Sequence, residues 1–169
     1  MILLSVLTSI SEGIEYLGDN LDWGMIALYL FLALGVSFLC SLLEAIILSV
    51  TWSHIEILKK EAKSSGDVLK KLKENIEQPL AAILTLNTIS HTVGAAGVGS
   101  EFHHLGNTWF TTASIILTIL ILVFSEIIPK TLGAIYWKRM APTAGYILDM
   151  LVWITWPIVF VLNYFSRII

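Results

Sequence analysis

Residues 24–43, 79–100 and 108–125 contain no Asp, Glu, Lys or Arg, and these three runs limit the fold more than any other feature. Each is close to the roughly 20 residues that a helix needs to cross the hydrocarbon core of a bilayer. Composition points the same way. Of 169 residues, 56% are AVILMFWYC and 14% are charged, whereas an ordinary soluble domain has roughly 45–50% apolar residues and about 25% charge. A chain of this size has no interior for that many apolar side chains, which argues against a soluble monomer. The expectation is an all-α membrane protein. It has three transmembrane helices, at about 24–50, 79–100 and 108–129, with cytoplasmic juxtamembrane and interfacial helices and a short external segment at 1–23.

The charges between the runs are sorted by sign. Residues 1–23 carry Glu12, Glu15, Asp19 and Asp22 and no base, while residues 52–78 carry six lysines against five acids. Residues 101–107 hold Glu101, His103 and His104; Lys130, Lys138 and Arg139 follow the third run. Lys and Arg favour cytoplasmic loops. Placing 52–78 and 130–141 inside, with the N-terminus and 101–107 outside, puts these bases on one side.

The opening MILLSVLTSI lacks the basic n-region and the cleavage site of a signal peptide, and residues 3–20 read as a short external helix or ordered tail. Residues 142–169 are apolar enough to cross again, yet basic residues flank both ends and Asp149 and Pro157 interrupt them. Trp153, Trp156, Tyr164 and Phe165 suit an interface, so interfacial or re-entrant helices on the cytoplasmic face are favoured over a fourth span. Within 52–78, Ile55, Leu58 and Ala62 share one helical face, and Val68, Leu69, Leu72 and Ile76 another. Ser64, Ser65, Gly66 and Asp67 read as the turn of a helical hairpin, with Asp67 as N-cap.

An ionisable residue in hydrocarbon is expensive and therefore a functional candidate. Three clusters stand out. Ser37, Ser41 and Glu44 fall at i, i+4, i+7 on one face of the first run. A serine there can simply bond back to its own helix, but Glu44 needs a cation, a base or water. Asn87, His91 and Gly94 repeat that spacing in the second run. Gly94, Gly97 and Gly99 permit close helix packing, or expose carbonyls if the helix unwinds. The third cluster is Ser125 and Glu126 before Pro129 and Lys130. Pro129 has no N–H and so deprives the Ser125 carbonyl of its donor. Lys130 lies one turn after Glu126, within pairing distance.

Carboxylate, hydroxyl, amide and carbonyl oxygens together suit a small hard cation such as Mg²⁺. Cys40 is the lone cysteine, which excludes cysteine ligation and a disulfide framework. A net charge of −3 gives no reason to propose a nucleic-acid partner. No H-E-x-x-H string is present for a metalloprotease. Ser100 beside His103 and His104 forms no nucleophile-elbow string, so no enzyme is expected.

The same residues carry a family likeness. Ser41-x-x-Glu44-Ala45-x-x-x-Ser49, Leu86-Asn87-Thr88 and Glu126-Ile127-Ile128-Pro129-Lys130-Thr131 resemble, in order and spacing, the transmembrane domain of the CNNM/CorC magnesium-transporter family. The likeness covers residues 24–165, and the Glu-Ile-Ile-Pro-Lys string closing a span is its most specific part. It implies three spans, an interfacial belt over 133–169 and a homodimer in the plasma or inner membrane. It also implies Mg²⁺ export by alternating access, with Na⁺ coupling proposed. Ser41, Asn87 and Glu126 would bind the ion with backbone oxygens; Glu44 and Pro129 also match family positions.

There are two departures. His91 stands where the family usually has a second asparagine, and Ser125 where a glycine is common. Imidazole suits Mn²⁺, Co²⁺ or Zn²⁺ better than Mg²⁺ and titrates near neutral pH, so metal and coupling ion stay open. Family members mostly continue into paired nucleotide-sensing CBS domains, which would begin where this chain stops. On this reading it is either a piece of a longer chain or a short member. A non-transporting membrane sensor of cations, and a transporter of another divalent metal, are the alternatives.

Overall fold

The computed structural model describes residues 21–61, 64–103 and 105–166, with side chains through residue 157. Residues 3–20, Ala62, His104 and Arg167, and the side chains of Tyr164 and Phe165, lie outside what is described. The described residues form five helices. These are α1 (Trp23–Ser49), α2 (Trp52–Lys60), α3 (Ser64–Glu74), α4 (Glu77–His103) and α5, which begins at Asn107 and continues without a stop to Ser166. Helices α1, α4 and α5 are long and apolar enough to cross a membrane, as the three uncharged runs require.

Local chemistry explains the ends. Asp22 caps α1, its carboxylate accepting from the backbone N–H of Gly24 and Met25 at 3.0 and 3.1 Å, which satisfies donors that a helix start otherwise leaves open. Thr51 caps α2 through the N–H of His54. Helices α4 and α5 turn at Gly106, whose φ of 103° lies in the left-handed region that glycine adopts without strain.

Two stretches depart from α geometry. Phe31–Val36 in α1 and Ile121–Ile127 in α5 are π-helical. In the second, the N–H of Ile128 bonds to the carbonyl of Val123, five residues back. Pro129 accounts for it: a proline ring crowds the carbonyl four residues earlier and cannot donate to it, and a widened turn relieves both demands. The helix break expected at Pro129 is therefore a wide turn inside a continuous helix.

Helix α4 does not unwind at its glycines. Gly94 and Gly97 are buried against α1. A Cβ on Gly94 would lie 2.8 Å from the Tyr29 carbonyl and from the Ala33 nitrogen, and Gly97 lies against the Tyr29 ring. Their role is close packing.

The apolar core gathers where α1 ends. Ile46 and Ile47 of α1, Ile55 of α2, Leu69 of α3 and Leu148 of α5 are all essentially fully buried. Ile55 and Leu58, and Leu69 and Leu72, face inward as the helical spacing requires. The expected turn at Ser64–Asp67 is instead the first turn of α3, and Asp67 is not its cap. Gly66 packs tightly against α2: a Cβ there would lie 2.9 Å from the Lys59 nitrogen. Asp67 pairs with Lys59 at 3.1 Å, and this contact holds the Lys59 ammonium above its ordinary pKa. Lys73 donates to the carbonyls of Ile47 and Leu48 at 3.0 and 3.4 Å, capping the end of α1, and burial pushes its pKa down. Asp149 bonds Lys71 at 3.0 Å, beside a cavity of about 490 Å³ lined by Gln78, Tyr146 and Trp153 among others. Asp149 therefore belongs to this foot rather than to the polar groups in the spans.

Candidate functional site

The two π-helical segments pack against each other, and α4 packs against the one in α1. The polar residues converge there. Ser37 is the first residue after the π segment of α1, Ser125 and Glu126 lie within that of α5, and Asn87 and His91 face both from α4. Wide turns inside α-helices occur often at functional sites, because they re-aim side chains and loosen carbonyls.

One network joins the three helices. The Ser37 hydroxyl donates to Asn87 Oδ1 and also meets His91 Nε2. His91 Nε2 lies 3.3 Å from Ser125 Oγ, which donates to the Ile121 carbonyl at 2.9 Å. Asn87 Nδ2 donates to Glu126 Oε1 at 3.2 Å. Glu126 Oε2 meets Lys130 Nζ at 2.9 Å, and the same ammonium reaches Glu44 Oε2 at 3.3 Å. Ser37 and Ser125 are fully buried. The Glu126 and Glu44 side chains keep 24% and 34% of their exposure and Lys130 keeps 45%, so the charged end of the network is open while its neutral end is closed.

The structure thus brings Asn87, His91, Ser125, Glu126, Glu44 and Lys130 into one connected set. Gly94 supports it by packing, one turn beyond His91, and Pro129, fully buried, through the wide turn it imposes. Ser41 stands apart. It is 1% exposed and its hydroxyl has no hydrogen-bond partner, a state that carries a real penalty unless something else approaches it. Ser37, one turn before Ser41 on the same face of α1, is the serine that bonds Asn87. The signal was there in the matching i, i+4 spacing of Ser37/Ser41 on α1 and Asn87/His91 on α4. A serine's common bond to its own helix masks that signal. Thr85, Thr88 and Thr131 do bond back in that way, as does Ser100, whose hydroxyl goes to Gly97 rather than to a histidine.

Among the described residues, no three His, Cys, Asp or Glu side chains are placed so as to hold one metal ion together. The available donors are one or two carboxylates surrounded by hydroxyl and amide groups. That set suits a hard cation that retains part of its water shell, and not a tightly chelated soft metal.

The family model described as the Cyclin M transmembrane N-terminal domain, CNNM, matches residues 28–169. A UPF0053 protein of Synechocystis sp., sll1254, is 33% identical over 135 residues, 79% of this chain and 39% of that protein. A UPF0053 protein of Haemophilus influenzae is 28% identical over 152 residues, 88% of this chain and 36% of its own length. The UPF0053 inner membrane protein YfjD of Escherichia coli is 26% identical over 113 residues, 66% of this chain and 26% of its own. The chain therefore spans well under half the length of these curated relatives.

Proposed function

The chain belongs to the CNNM transmembrane-domain family, which is linked to Mg²⁺ transport, and on that premise we propose that it carries Mg²⁺ across the membrane through the Glu126 network. The observation that carries the proposal is the Glu126 carboxylate, inside an apolar span, joined to Asn87 of a second helix and lying at the open end of the polar network. A charge so placed has no structural need that an apolar residue would not meet more cheaply.

In this reading Mg²⁺ enters from the side bearing the lysine-rich α2–α3 hairpin, taken as cytoplasmic from the excess of lysine there. It sheds part of its water and is held by Glu126, Asn87 and the unpartnered Ser41 hydroxyl. The wide turn before Pro129 supplies loosened carbonyls and a place for α5 to flex, which suits alternating access. Export, coupling to Na⁺ and a homodimeric assembly belong to the same proposal. The decisive test is ²⁸Mg²⁺ or dye-reported flux by purified protein in proteoliposomes. Mg²⁺-dependent thermal stabilisation without flux would favour a sensor instead.

His91 favours a second reading of selectivity. Its Nε2 lies among Ser37 and Ser125, where a nitrogen donor would suit Mn²⁺ or Co²⁺. His91→Asn is expected to raise the Mg²⁺ preference in a flux series over these ions. An unchanged series would make His91 structural.

A further inference from the structure

Lys130 is joined to two carboxylates from different helices, Glu44 of α1 at 3.3 Å and Glu126 of α5 at 2.9 Å. An ammonium carries three N–H donors, and two are spent on this bridge. Glu126 is engaged on both oxygens, Oε1 by Asn87 and Oε2 by Lys130. A metal ion that takes Oε2 along the lone pair the ammonium uses must replace the lysine. A second cation beside the ammonium would be repelled, and the more so in a half-buried site than in water.

We propose that Lys130 is a tethered internal cation, which a divalent ion must displace from Glu126 onto Glu44, and which by returning to Glu126 helps expel the ion. The inference rests on the reading of Glu126 as a cation ligand. Its consequence is selectivity. A monovalent ion offers Glu126 no more charge than the ammonium already does, so exchange gains it nothing. A dication offers twice the charge and wins. Glu44 gives the displaced ammonium a partner it already touches. Lys130 is exposed enough, at 45%, to make that swing without unpacking the helices.

The test is Mg²⁺ titration calorimetry on the purified full chain in nanodiscs, with and without Na⁺, alongside flux in proteoliposomes. Lys130→Gln is expected to bind Mg²⁺ about tenfold more tightly or better, because a competing unit charge is gone. Added Na⁺ should lower its Mg²⁺ affinity more than it lowers that of the wild type, because Na⁺ then meets no tethered charge at Glu126, and Mg²⁺ should leave more slowly, lowering flux at saturating Mg²⁺. Glu44→Gln should bind Mg²⁺ more weakly than wild type. If Lys130→Gln fails to assemble with two unneutralised glutamates, the double variant Lys130→Gln/Glu44→Gln carries the test. It should bind more tightly than Glu44→Gln alone. Unchanged or weaker binding in Lys130→Gln, or equal binding in the double and the Glu44→Gln variants, would overturn the inference while leaving Glu126 as ligand. Wild-type binding that Glu126→Gln leaves intact would overturn both.

Discussion

The foot of the molecule and the polar crossing above it share α1 and α5 and follow opposite rules. At the foot, Ile47, Ile55, Leu69 and Leu148 are completely buried in an apolar jigsaw. Ten residues earlier on α1, or about 15 Å along a helix, Ser37 enters a network of hydroxyl, amide, imidazole and carboxylate groups in which both helices widen into π turns. Apolar packing is non-directional and supplies most of the stability. The polar network is directional, and a bond left unmade in it is penalised. The chain can keep wide turns and clustered charge inside its spans because the foot and the glycine-lined α1–α4 contact hold the helices in place.

This division can be broken by mutation. The largest expected effect on stability is at the foot. Leu69→Ala removes a fully buried side chain and should cost about 2–5 kcal/mol, measured by chemical unfolding in detergent. Mg²⁺ affinity per folded molecule should not change. A parallel loss of affinity would mean that the two regions are not separable. Ser37→Ala should cost less, about 1–3 kcal/mol, because it leaves a half-buried Asn87 acceptor without its donor. Yet it should lower Mg²⁺ flux, which Leu69→Ala should not do per folded molecule. Lys73→Met, which removes the cap on the Ile47 and Leu48 carbonyls, should cost only about 1 kcal/mol after solvent screening. It should leave flux intact, and a loss of transport there would extend the functional region into the foot.

The elements that were legible in the sequence are those set by single strong physical demands. Twenty uncharged residues specify a span, and the faces of Ile55/Leu58 and Leu69/Leu72 specify which side of α2 and α3 is buried. Glu126 and Asn87 were legible because charge and amide are costly in lipid, and Lys130 because it follows Glu126 by one turn. What escaped depends on contacts between distant segments. Gly66 packs against Lys59 of α2, a contact that no local pattern shows, and Ser64–Asp67 reads as a turn but folds as helix. Ser37 joins Asn87 across fifty residues of sequence, and no local pattern separates that bond from a serine bonding its own helix. The second partner of Lys130, Glu44, lies on another helix, and only the packing of α1 against α5 brings it near. The π turn of α5 arises from Pro129, and periodicity that assumes α geometry foresees neither it nor the one in α1.

The most direct test of the central claim compares Mg²⁺ flux per assembled molecule in proteoliposomes of the wild type and Glu126→Gln. Glutamine keeps the size and the capacity to accept from Asn87 but removes the charge. Flux at the level of protein-free vesicles, with assembly and unfolding profile close to wild type, is the predicted result. Undiminished flux would contradict the assignment of Glu126 as the residue that holds the ion.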